Sequence, residues 1–172
     1  LMRHGMAVDQ HRLPELRPEL FRLPEGRGKV RVIGVIPGQI LTEKRLLEPT
    51  LEQGRPVADP GRDLAKLAVI ERHQGTGKVG LGRVQGLGLT AGARASSVGR
   101  DSHNLIVAGT NDADMVLAGN TVRKNKGGLA FALNGQVVGE LPLPVAGLMS
   151  TESAEAVEEK LQALKAALKA HG

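Results

Sequence analysis

LAFALNGQVVGELPLP, residues 129–144, places two apolar runs on either side of Asn134-Gly135. Both turn residues tolerate the positive φ of a tight turn whose twist matches that of its strands, so the segment predicts an antiparallel hairpin. ARASSV (93–98) and NLIVAGT (104–110) read as two further strands. Between them and the hairpin, residues 111–126 predict a helix. Asn111 can cap it, Asp112 and Asp114 suit its positive end, and Gly127-Gly128 stop it. Its apolar face is Met115, Ala118 and Val122.

Working outward, VRVIGVIP (30–37) reads as a buried strand ended by Pro37 and Gly38. Residues 41–60 are polar and predict a loop with some strand, and ADPGRD (58–63) is a turn centred on Pro60-Gly61. LAKLAVIER (64–72) fits a strand or a short helix; its brevity and the glycines after it favour a strand. In HQGTGKVGLGRVQGLGL (73–89) glycine recurs too often for a regular helix, which leaves strands with bulges or tight bends. The chain ends in a helix at about 153–170, with Val157, Leu161, Leu164 and Leu168 on one stripe and acids preceding bases along its length. The expected fold is α+β: a mixed, largely antiparallel β-sheet with two main helices, about 111–126 and 153–170. Residues 1–29, punctuated by Pro14, Pro18 and Pro24, read as an extended arm that needs a surface to lie on, and residues 30–172 as the domain proper.

Composition narrows the function. With only Phe21 and Phe131 as aromatics, the core must be built from Leu, Val, Ile and Ala. No cysteine means no disulfide, thiolate zinc site or cysteine nucleophile, and it fits a cytoplasmic protein. No apolar run approaches the roughly 18 residues of a membrane span, and Arg3 and His4 interrupt any signal-peptide core. Residues 61–126 carry ten Lys and Arg against five Asp and Glu. These cations are scattered and no aromatics lie among them for base stacking, so no nucleic-acid partner is expected.

GTGKVG (75–80) matches a dinucleotide fingerprint in letters only, because the glycines that follow cannot open the helix that would hold a pyrophosphate. It is not a phosphate-binding P-loop either, since Arg72 and Val79 stand where glycine and Ser or Thr are needed. Of the five histidines, His4, His11 and His171 lie near the termini. No H-x-H or H-E-x-x-H occurs. His73 and His103 each follow a strand and have charged neighbours, and Asp101-Ser102-His103-Asn104 packs four chemically capable residues into one turn. Asp, Ser and Asn also make turns by bonding local backbone, so a structural turn and a functional loop both remain open. A Ser–His–Asp triad cannot be assembled from adjacent residues.

VRVIGVIPGQILTE (30–43), VADPGRDLAKLAVIERHQGTGKVGLG (57–82), GLGLTAGARASSVGRDSHNLIVAGTNDADMVLA (86–118) and GELPLPVAGLMS (139–150) together resemble the C-terminal domain of the bacterial and archaeal adenine deaminases. ELFRLPEG (19–26) resembles the segment leading into it. The resemblance implies an N-terminal amidohydrolase barrel in the same protein, preceding the arm. That barrel binds a divalent metal (manganese, iron or zinc) and hydrolyses adenine to hypoxanthine and ammonia in a cytoplasmic enzyme, expected to be a homo-oligomer. It transfers no catalytic residue and no metal ligand to this chain, and no metal is expected on this chain alone. His73, Asp101, Ser102, His103 and Asn104 are the candidates for touching substrate or supporting groups that do. They are expected to share one end of the sheet and face the barrel, with Asp101 fixing an imidazole tautomer. The chain departs from the family at Gly99-Arg100, where Ala-His is usual, at Gln74, where a second histidine is frequent, and around Asn125-Lys126. A rival reading is a stand-alone ligand-binding or assembly module that has lost the barrel.

Overall fold

The computed structural model describes residues 12–25, 28–99 and 101–171. In chain order the elements are β1 (Val30–Val35), β2 (Thr42–Leu47), β3 (Leu51–Glu52), β4 (Arg55–Pro56), β5 (Leu64–Ile70), β6 (Val79–Gln85), β7 (Ala93–Ser96), β8 (Leu105–Gly109), α1 (Asp112–Lys124), β9 (Gly128–Leu133), β10 (Gln136–Pro142) and α2 (Ala154–His171). Eight strands form one sheet in the order β10-β9-β7-β8-β5-β6-β1-β2, and β3 pairs with β4 in a small separate ribbon. Only β1 and β6 run parallel; every other neighbouring pair is antiparallel. The fold is therefore α+β with a mixed, largely antiparallel sheet and two helices, as the sequence predicts. Among the described residues no helix is long and apolar enough to cross a membrane.

The hairpin turns where Asn134-Gly135 required it: both residues have positive φ, and Leu133 pairs with Gln136 across them. Its turn is also held from outside. The buried Asp114 carboxylate, in the first turn of α1, accepts the backbone N–H groups of Gly135 (2.8 Å) and Asn134 (3.2 Å). Asn111 caps α1 by accepting the Asp114 N–H at 2.8 Å. Residues 41–60 hold more strand than expected: β2 is a full partner of β1 at the edge of the sheet. TEKRLL is largely exposed there, so it lacks the buried alternation by which a strand is recognised.

The two helices cover opposite faces. On the α1 side, Ala68, Ile70, Ala93, Ala95, Leu105, Val107, Ala130 and Ala132 meet Met115, Ala118 and Val122 in one buried cluster. The many alanines let the helix approach closely, which compensates for the scarcity of aromatics. The arm belongs to this core. Leu13, Leu16 and Phe21 are buried in it, and Pro18–Phe21 form a short 3-10 turn within an otherwise irregular path. Asn120 clamps the arm by accepting from the Leu16 N–H (3.0 Å) and donating to the Leu16 carbonyl (2.9 Å). Gly119 explains the fit: a Cβ there would stand 2.4 Å from Leu16 Cδ1. On the other face α2 packs over β9 and β10, where buried Leu164 meets Phe131 and Leu89.

Candidate functional site

The candidate residues converge because β5 and β8 are antiparallel neighbours. Ile70 pairs with Leu105, so the end of one strand stands beside the start of the other. The His73 imidazole Nε2 lies 2.7 Å from the Ser102 carbonyl oxygen. A carbonyl only accepts, so that contact requires the proton on Nε2. Asp101 and Ser102 are exposed, whereas His73, His103 and Asn104 are half-buried. Asp101 and His103 both lie in the left-handed region, with φ of 63° and 47°. Such backbone is uncommon for residues with side chains, with Asp and His among those that tolerate it best.

Arg72, which is fully buried, pins the loop from beneath. Its Nε donates to the His103 carbonyl, and its Nη2 donates to the Ala146 carbonyl at 3.0 Å. Ala146 too has positive φ, 55°. Buried Ser97 secures the same turn from beneath, donating to the Gly147 carbonyl at 2.6 Å while accepting the Gly128 N–H at 2.7 Å. Desolvation depresses the Arg72 pKa, and the carbonyl oxygens around it supply the negative ends of dipoles. One buried guanidinium thus ties the 101–104 loop to the 145–149 turn.

Glu71 organises the other side. Its carboxylate accepts the N–H groups of His73, Gln74 (2.7 Å) and Thr76 (3.0 Å), and the Thr76 hydroxyl (2.9 Å). The Gln74 and Thr76 bonds lead in holding its pKa down at about 2. His103 Nδ1 and Asn104 Oδ1 are shielded from solvent and have no hydrogen-bond partner among the described residues. They are the loop's unspent hydrogen-bonding groups. Asn104 also lines a shallow hollow with Glu71, Lys78 and Val69.

Asp101 has no hydrogen bond to either imidazole among the described residues, so the expected fixing of a tautomer falls instead to the Ser102 carbonyl. Sequence reasoning missed Arg72 and Ser97, which look like ordinary surface residues beside a histidine and within a strand. At the family departures, a Cβ on Gly99 would press within 2.9 Å of Ile106 Cδ1, and the Gln74 N–H is committed to Glu71. Arg100, His4 and His11 lie outside the described residues. No three His, Asp or Glu side chains gather where they could hold a metal ion, among the described residues.

The arm reaches the same place. The Arg12 N–H donates to the Arg72 carbonyl at 3.1 Å, so the first described residue lies beside the loop cluster. The family model for the adenine deaminase C-terminal domain matches residues 39–172. The chain is 54% identical over 153 residues to adenine deaminase of Oleidesulfovibrio alaskensis, covering 89% of this chain and 27% of that protein. It is 48% identical over 153 residues to adenine deaminase 2 of Carboxydothermus hydrogenoformans, with the same 89% and 27% coverage. It is 46% identical over 161 residues to adenine deaminase of Cereibacter sphaeroides, covering 94% and 28%. The chain thus spans about a quarter of the length of these curated relatives. With its two helices on a mixed sheet and its match over residues 39–172, the chain belongs to the adenine deaminase C-terminal domain family.

Proposed function

We propose that this chain is the C-terminal part of an adenine deaminase that hydrolyses adenine to hypoxanthine and ammonia. The catalytic metal (manganese, iron or zinc) resides in an N-terminal amidohydrolase barrel of the same protein, because the residues described here do not fit a metal site. When bound, such a metal supplies an activated water. This chain's contribution is positional: it buttresses the barrel and presents the 101–104 loop and His73 towards its mouth. The observation that supports this reading is the contact between Arg12 and Arg72, which sets the first described residue of the arm beside the loop cluster. There Asp101 and Ser102 stand exposed on a loop whose shape is fixed from within. A chain without cysteine suits the cytoplasm, where we place the enzyme as a homo-oligomer.

The test is made in the complete enzyme. Asp101→Ala and His103→Ala are expected to lower kcat/KM for adenine by about tenfold or more, the scale seen when groups supporting a metal site are removed. Asp101→Asn, exposed and suited to the left-handed φ of 63°, is expected to lower kcat/KM likewise while melting temperature changes little. Activity and stability falling in step would defeat the reading and leave a structural turn.

A further inference from the structure

The sheet face opposite α1 is apolar and only partly covered. Beyond α2 a groove of about 340 Å³ opens between the helix and the sheet. Leu67, Ile106 and Leu129 form its floor, and Leu161 and Leu168 of α2 its wall. Both of those α2 leucines remain only half-buried. The described residues of the arm do not fill the groove, since Leu13, Leu16 and Phe21 are spent on the α1 side. A concave apolar site of this size is at the lower end of the range of small-ligand pockets, about 300–1,000 Å³.

The charges choose the ligand. The charged residues lining the groove are Arg94 and Lys165, both cations. Lys165 is exposed on α2 at the rim. Arg94 rises from β7, donates through Nη2 to the Leu87 carbonyl at 2.6 Å, and has an Nε with no partner among the described residues. Asp63 lies near enough to favour the charged guanidinium, but it is not part of the lining and accepts the Gly88 N–H at 2.9 Å. An apolar trough whose lining charges are all positive complements a molecule with an apolar body and a single negative end.

We infer that the groove between α2 and the sheet binds a small amphiphilic carboxylate, its aliphatic or aryl body against Leu67, Ile106, Leu161 and Leu168 and its carboxylate towards Lys165 and Arg94. The site lies on the face away from the described residues of the arm and does not depend on the deaminase reading. Its test needs no turnover, so the two stand or fall separately.

Octanoate and 1-octanol serve as probes, titrated against this chain at matched ionic strength and followed through leucine and isoleucine methyl NMR shifts. Saturable shifts are expected at Leu67, Ile106, Leu161 and Leu168, with octanoate bound about tenfold tighter than octanol, which is about 1.4 kcal/mol. Lys165→Met and Arg94→Met are expected to shrink that preference while octanol binding persists. Leu168→Glu is expected to abolish binding of both probes, and Lys124→Met on the opposite helix to change nothing. If Arg94→Met fails to fold, Lys165→Met decides. Equal affinity for the two probes, an undiminished preference in Lys165→Met, or no saturation by about 10 mM, weaker than any specific site of this size, would overturn the inference.

Discussion

At the scale of single residues, two buried arginines make opposite cases. Arg72 is fully buried and donates to the His103 and Ala146 carbonyls. Arg83, 7% exposed, has its Nε and Nη2 shielded and without hydrogen-bond partners among the described residues. It is also the cross-strand neighbour of another buried cation, Lys66, whose ammonium is already paired with Asp112. An unpaired buried charge costs more than a well-packed apolar side chain of similar volume. Arg83→Met is therefore expected to raise the urea midpoint, by about 1 kcal/mol or more in stability. Arg72→Met is expected to lower it, because two part-buried carbonyls lose their charged donor, at about 1 kcal/mol or more in all. Opposite signs in one denaturation experiment are the check, and a fall for both would show that Arg83 is partnered in solution. Glu71 gives a pH prediction. Its pKa in the folded chain is pushed down to about 2 from an ordinary 4.5, so it binds protons less readily folded than unfolded. Its contribution to stability is full above about 4.5 and is lost as pH falls towards 2. Glu71→Gln should flatten the stability curve across that window, measured by acid titration of the denaturation midpoint. None of this was legible in the sequence: Arg72, Arg83 and Glu71 sit in ordinary polar company, and only three-dimensional burial separates them.

At the scale of elements, legibility tracked how strongly local chemistry restricts the backbone. Asn134-Gly135 and the Asn111 cap have few alternative conformations, and both hold as read. β2 escaped because an exposed edge strand need not alternate. The arm shows a different limit, since irregular backbone around prolines says nothing of what Phe21 is buried against. Phe21→Ala should cost about 3–5 kcal/mol, the range for fully buried aromatics, and an unshifted midpoint would mean that the arm detaches in solution. In α2 the helical period revealed the stripe but not its unequal burial. Leu164 is 4% exposed, whereas Leu161 borders the open groove. Leu164→Ala is accordingly expected to cost about 2–5 kcal/mol and Leu161→Ala clearly less; the reverse ranking in urea denaturation would show that the groove closes on Leu161.

At the scale of the whole molecule, the convergence of His73 with residues 101–104 follows from reading two strands correctly and pairing them, since antiparallel neighbours bring an end to a beginning. What the sequence could not show is that two residues of the loop take left-handed backbone and that buried Arg72 pins the loop from inside. The same whole-molecule view governs whether this chain can act alone. Hydrolysis of an aromatic amidine needs an activated water held against the carbon that loses its amine. Among the described residues no set of three His, Asp or Glu gathers to hold a metal. The shielded unpartnered polar atoms on the loop among the described residues, His103 Nδ1 and Asn104 Oδ1, are too enclosed to replace one. The curated relatives are more than three times as long as this chain. Ammonia release from adenine by this chain should therefore stay at the level of a chelated control with manganese, iron or zinc added. Turnover clearly above that control would place the catalytic centre on these residues, and the loop at 101–104 would then have to be its core, not its support.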